Sequence, residues 1–178
     1  LQTSRVPKRQ VNMLMGIFDM DYLSVNDVMI PKNEIIGIDL NDDIKNILEE
    51  LQKIDYTYIP CFEDSIDNIL GFLTINKKAD FYGRKDLTAK ALKNELQDPL
   101  FVPENTSLSK QLSNFQSANA RVGLIVDEYG DIEGIITLRA ILEVIVGEIT
   151  SDSIDRMDIM PQADGSFMIE GSVMIREI

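Results

Sequence analysis

The residues of this chain that could do chemistry fall into three sets. Acidic side chains gather at Asp39, Asp42 and Asp43, at Asp64 and Asp67, and at Asp127, Glu128 and Asp131. Such hard oxygen donors attract magnesium or calcium, yet no run has the ligand spacing of a calcium-binding loop, and acidic runs in turns are ordinarily solvated. No metal ligand is assigned. The single cysteine, Cys61, cannot form an internal disulfide, and with no histidine in the chain it lacks both a catalytic base and the usual zinc companions. It reads as a small core residue. The third set is a pair of threonines, Thr74 and Thr137, each placed where a strand-like run gives way to a helical one. A threonine opening a helix can cap it, and its hydroxyl, the free amides and the helix dipole suit an anion such as phosphate. No base stands near a nucleophile, so the chain is read as non-catalytic.

Two similar sets of elements position these threonines. Val11, Leu14, Met15 and Phe18 fall at helical spacing and predict an amphipathic helix over residues 9–22. Pro31 stops any helix, and Ile35, Ile36, Ile38 and Leu40 read as a strand. Asn41 is the expected cap of a helix whose face is Ile44, Ile47, Leu48 and Leu51. A hairpin follows, with strands Tyr58 to Phe62 and Ile69 to Leu73 around a polar turn from Glu63 to Asn68; Thr74 then opens the helical stretch TINKKADFY. The order recurs. Pro99 to Pro103 is a strand, Thr106 caps a helix facing inward through Leu108, Leu112 and Phe115, and Val122 to Val126 pairs with Ile132 to Ile136. Thr137 opens a helix with the face Leu138, Ile141, Leu142, Ile145 and Val146.

Asp64 and Asp127, Gly71 and Gly134, and Thr74 and Thr137 share one offset of 63 residues, which predicts a duplication with a small insertion in the earlier helices. Each β-α-β-β-α unit is too small for a secure core alone, so the two should pack sheet to sheet with helices outside, an α/β (α+β) fold.

Composition narrows the function. A net charge of −13 repels phosphodiester backbones and no basic stripe carries interleaved aromatics, which argues against nucleic-acid binding. No apolar run approaches the roughly 18–20 residues that cross a bilayer. The first residue is Leu1 rather than Met and the last, Ile178, closely follows a strand-like run, Phe167 to Ile169, so the chain reads as a piece of a larger parent. Met13, Met15, Met20 and Met29 suit adaptable packing in a core or dimer surface.

The segments VNDVMIPKNEIIGID, VGLIVDEYGDIEGIIT and DGSFMIEGS resemble the cytoplasmic part of the CorC/HlyC and cyclin-M family of divalent-cation transport proteins, whose core is a tandem pair of CBS modules, also called a Bateman module. The resemblance covers Asn12 through Ile178, nearly the whole chain. It implies a connector helix at 1–22 from a preceding transmembrane domain of the same parent, CBS module 1 at 23–86 and CBS module 2 at 87–150. It also implies a linker and the start of a transporter-associated domain at 151–178. Further, it implies a homodimer at the cytoplasmic face of the membrane, and a regulatory adenine nucleotide, AMP or ATP, the latter with magnesium on its phosphates. The alternative is a purely structural dimerisation module.

In such pairs the ligand lies in a cleft between the sheets, and Thr137 and its twin Thr74 would offer hydroxyls to phosphate or ribose. Wall candidates are Ile36, Ile38, Tyr58, Ile59, Pro60, Phe101, Val122 and Gly123, each equally a candidate core residue. Family members commonly carry an aspartate three residues after the threonine to hold the ribose hydroxyls. Here Ala140 and Lys77 stand in those places. Either Lys77 meets a phosphate while Thr137 and the backbone hold the sugar, or one or both clefts are empty.

Overall fold

A computed structural model of the chain describes residues 7–74, 88–147, 159–161 and 167–169. The first unit contains β2 (Ile38–Asp39), α2 (Ile44–Lys53), β3 (Tyr58–Glu63) and β4 (Ser65–Thr74). Strand β2 runs parallel to β3, which pairs antiparallel with β4. In the second unit β5 (Leu100–Pro103), α4 (Leu108–Ala118), β6 (Val122–Val126) and β7 (Ile132–Thr137) repeat that pattern, and α5 (Leu138–Val146) follows. Helix α1 (Lys8–Asp19), β1 (Ile30–Pro31) and α3 (Ala89–Lys93) lie in the leads before the two units. A separate antiparallel ladder joins β8 (Ile159–Pro161) to β9 (Phe167–Ile169).

Three apolar layers account for this arrangement. Ile47 and Leu51 of α2 meet Ile38, Ile59, Cys61 and Leu73 in one core. Leu108 and Phe115 of α4 meet Val102, Ile125, Ile136 and Ile141 in another. Between the sheets, Ile69 and Phe72 of the first unit share a buried cluster with Val122, Leu124, Ile132 and Ile135 of the second. Alternation along each strand therefore buries both faces, one under helices and one under the opposite sheet.

Several local expectations are corrected. The strand expected from Ile35 to Leu40 contracts to Ile38–Asp39, because a 3-10 turn occupies Lys32–Glu34 just before it. Asp43, not Asn41, takes the cap position of α2; the Asn41 amide Nδ2 instead donates to Asp64 Oδ1 at 2.9 Å. Ser107 rather than Thr106 precedes α4, and the Thr106 hydroxyl donates to the Pro103 carbonyl at 2.6 Å. The polar turn from Glu63 to Asn68 is mostly strand. Only Asp64 separates β3 from β4, with φ 64°.

The register also moves the insertion. From Ile38 to Phe62 the units match at an offset of 64: Cys61 faces Gly71 as Ile125 faces Gly134, and Leu40 N donates to Phe62 O as Glu104 N does to Val126 O. After the hairpin the offset is 63. The first unit's extra residue thus lies in its hairpin turn, not in the helices, and Glu63 rather than Asp64 corresponds to Asp127.

The leads are exchanged. Strand β1 pairs antiparallel with β7, Ile30 opposite Ile135 and Pro31 opposite Gly134, while Met20 and Val25 sit in the second unit's core. Reciprocally, Gln97 bridges to Phe72 of β4 through two backbone bonds of 2.9 and 3.0 Å, and Leu92 of α3 is buried in the first unit's core. Packing therefore crosses the linear boundaries at 22/23 and 86/87. The repeated glycines mark the crossings: a Cβ on Gly71 would stand 2.6 Å from Gln97 O, and one on Gly134 2.6 Å from Ile30 O.

Candidate functional site

Thr137 ends β7 and caps α5, with extended backbone at φ −116° and ψ 151°. Its half-buried Oγ1 accepts a bond from Ala140 N at 3.1 Å, which leaves the hydroxyl proton to donate elsewhere. The amides at this helix start are less available than the sequence suggests, since Leu138 N donates to Arg121 O at 2.8 Å and Ala140 N is taken by the cap. Anion binding here would rest on the hydroxyl and the helix dipole more than on a cluster of free amides. Ala140 is half-buried and packs against the second unit's core. Val122 is directly across the ladder from Thr137.

Thr74 holds the same place at the end of β4, with Tyr58 across the ladder. Lys77, and the helix expected after Thr74, lie outside the described residues. Tyr58 and Val122 both belong to the layer between the sheets, so the structure brings these two wall candidates and their neighbouring threonines to one layer.

The other wall candidates sit differently. Ile38 and Ile59 have no exposed surface and belong to the first unit's own core under α2, not to the layer between the sheets. Pro60 is buried with its carbonyl against Gly37. Gly123 is enclosed, because a Cβ there would come within 2.9 Å of both Leu100 O and Val102 Cγ2. Ile36 and Phe101 are 54% and 60% exposed. Phe101 lines a different cavity of about 470 Å³ between β5 and α4, with Leu100, Gln111, Asn114, Ser117 and Ala118. The lead residues Met29 and Ile30 lie against Gly134 on β7, and Met29 packs on the second unit's core as its residue type suggested.

Charge concentrates at the hairpin end of the sheets, opposite the threonines. Lys32 pairs with Asp67, and each holds the other charged: the lysine is raised above its ordinary range first by this bond, and the aspartate is lowered. Asp131 and Glu133 of the second unit's hairpin add to the field on Lys32. Loss of hydration, then Glu128, raises Glu104. The acidic turns largely serve their own backbones, as Asp127 Oδ1 accepts from Tyr129 N at 2.9 Å and Asp131 N at 2.8 Å. Burial pushes the Cys61 thiol up to about 12, which keeps it an inert core group at neutral pH. Among the described residues no group of three His, Cys, Asp or Glu could hold a metal ion, and no helix is long and apolar enough to cross a membrane.

The CBS domain family model matches residues 92–147. A CBS-domain pair with bound AMP from Klebsiella pneumoniae is 43% identical and superposes with a TM-score of 0.66, covering 70% of this chain and 99% of that one. The chain belongs to the CorC/HlyC family of tandem CBS-domain proteins. The CBS domain of a bacterial CNNM/CorC family Mg2+ transporter in complex with ATP matches this CBS pair with a TM-score of 0.71 at 27% identity, over 79% of this chain and 99% of that chain. The UPF0053 inner membrane protein YfjD of Escherichia coli is 38% identical over 98% of the chain. The CBS pair spans only 42% of that relative's length, and about the same share of the next two curated relatives.

Proposed function

We propose that this CBS pair is the non-catalytic regulatory module of a membrane protein that transports divalent cations such as magnesium or cobalt, or controls their transport. In this reading it senses an adenine nucleotide, AMP or ATP, between its sheets. The observation that carries the reading is Thr137, a half-buried hydroxyl with a proton to donate, at a helix mouth beside Val122 in the layer between the sheets. The AMP-bound neighbour at 43% identity supports adenine nucleotide as the ligand class. Tyr58 and Val122 would wall the base, Thr137 would hold phosphate or ribose, and Thr74 with Lys77 would serve the second cleft. ATP would bring magnesium on its phosphates rather than require a protein-only metal site.

The parent would place residues 1–22 as the connector from its transmembrane domain and 151–178 as the start of a trailing domain, with the module at the cytoplasmic face. A symmetric homodimer would let the ligand change the spacing of two connectors, provided it prefers one arrangement. A second reading, a structural dimerisation module without ligand, is favoured by two facts. Ala140 replaces the clamp carboxylate, and the Leu138 and Ala140 amides are already bonded.

Calorimetry of this chain with AMP, ADP and ATP, with and without magnesium, separates the two. Nucleotide sensing gives heat with at least one of them, weakened about ten-fold or more by Thr137→Ile, whose lost cap costs about 1 kcal/mol of stability without unfolding the chain. Ala140→Asp should strengthen binding by restoring the clamp. No heat and no thermal shift with millimolar nucleotide would leave the structural reading.

A further inference from the structure

The two ends of α5 meet different parts of the chain. Its first turn opens at Thr137, the residue that carries the nucleotide reading, and its last turn packs against α1. There Gly16 is buried, and a Cβ on it would run into the Val144 carbonyl and come within 2.8 Å of Ile145 Cα, so the two backbones approach closely. Met20, just beyond α1, is buried in the same cluster as Ile141 of α5, with Ala140, Val144 and Ile145 packed against it. The turn after α1 is bonded to the second unit as well: Leu108 N and Ser109 N, at the start of α4, donate to Leu23 O at 3.0 Å and Met20 O at 3.2 Å. These carbonyls take up amides that a helix start leaves without partners. Helix α1 is therefore fixed to the second unit, and through the helix that Thr137 caps.

At 9 residues α5 is short, and isolated helices below about 12 residues are marginal in water because their turns form cooperatively. Its stability comes from its packing, so neither end can loosen without weakening the other. The bond from Ala140 N to Thr137 Oγ1 exists only when the first turn is formed, and it aims the hydroxyl proton away from the helix. A ligand that accepts that proton therefore favours the formed helix. We infer that a nucleotide at the Thr137 cleft is read out through α5: its binding firms the contact at Gly16 and holds α1 more tightly to the second unit. By linkage, α1 seated on α5 raises nucleotide affinity by the same factor. The inference rests on the nucleotide reading and adds the route by which that site reaches α1.

Hydrogen exchange of the 178-residue chain, read by mass spectrometry with and without AMP, and with and without ATP and magnesium, tests it beside the calorimetry above. Exchange in residues 8–19 of α1 should slow about five-fold or more at saturating nucleotide, the lower end of ordinary coupling between sites, while residues 44–53 of α2 slow less. Gly16→Val, which forces α1 off the far end of α5 from Thr137, should weaken nucleotide binding by about the same five-fold. If circular dichroism shows that Gly16→Val has lost helix, Ile145→Ala, which trims the α5 side of the same packing, carries the same expectation. Heat of binding without selective slowing in α1, or with affinity unchanged in the folded variant, overturns the inference and leaves nucleotide sensing standing. Equal slowing in α1 and α2 is global stabilisation and overturns it too. No heat with any of the nucleotides overturns both readings together.

Discussion

Ile47 in α2 and Gln111 in α4 hold the same place in the two repeats, 64 residues apart, and neither has exposed surface. In the first unit that place is wholly apolar, with Ile47 clustered with Ile38, Leu51, Ile59, Leu73 and Leu92. In the second it holds an amide. Gln111 Oε1 accepts from Asn114 Nδ2 at 3.2 Å, while Nε2 has no hydrogen-bond partner and borders the cavity beside Phe101. One duplicated framework thus yields one closed core and one that tolerates a costly group beside a depression. Exchanging the residue types breaks or sharpens the contrast. Ile47→Gln should cost about 4 kcal/mol, since it deletes apolar packing and buries an amide without partners. Gln111→Leu should gain about 1 kcal/mol by removing the unsatisfied Nε2, with Asn114 turning to solvent. Urea unfolding of both variants measures this, and equal losses at the two sites would mean that the second core needs its amide.

Where the repeats agree, the shared feature is the exchange of leads. Gly71 and Gly134 face the crossing backbone at the same 2.6 Å hypothetical contact, so Gly71→Ala and Gly134→Ala should each cost about 2 kcal/mol by forcing the strands apart. The neighbours differ in what can yield. Gly134 meets the flexible Met29 thioether at 2.8 Å, whereas Gly71 meets Leu96 Cβ at 3.0 Å, so Gly71→Ala should be the worse of the two. Hydrogen exchange at Phe72 and Gln97, compared with exchange at Ile30 and Ile135, would report which crossing opens first.

Much of this architecture was legible because helix and strand periodicities are local. The faces Ile44, Ile47, Leu51 and Leu108, Leu112, Phe115, the strands on either side of each hairpin, and the duplication itself can all be read from spacing. The exchange was not legible, since nothing in the order of residues 20–31 and 88–97 says which sheet will accept a backbone edge. The repeated glycine hinted at close approach without naming the partner. At the candidate site, sequence placed Thr137 at the start of a helix, where the structure has it as the cap of α5. It missed that the Leu138 and Ala140 amides are already committed, because the bond to Arg121 O depends on how the β6–β7 hairpin closes. Alternation alone also could not say which side of β3 faces the other sheet, so Ile59 and Tyr58 looked equivalent when one is core under α2 and the other borders the layer between the sheets.

The first exchanged lead is also tied back electrostatically to the unit it precedes. Lys32 follows β1, which belongs to the second unit's sheet, and it pairs with Asp67 on β4 of the first. In the lead into the second unit Asp98, Pro99 and Leu100 follow Gln97, and the cation lies earlier, where Lys93 of α3 pairs with Glu63 of β3 at 2.9 Å. Asp67 is held below its ordinary 3.8, so its contribution is present above that value and is lost as pH falls through the lower folded value. Lys32 is held above its ordinary 10.5, so its contribution is present below that value and is lost as pH rises through the higher folded value. The stability difference between the natural chain and Asp67→Asn should therefore be flat across the neutral range and close only below 3.8 or above 10.5. Both side chains are exposed, so the difference should be the smallest of those predicted here and should shrink with added salt. Urea unfolding of both proteins over a pH series, at low and high salt, measures it. A difference that instead varied through the neutral range would assign the coupling between lead and first unit to other titrating groups, with Glu104 beside Glu128 the first to examine, since its carboxyl is already raised.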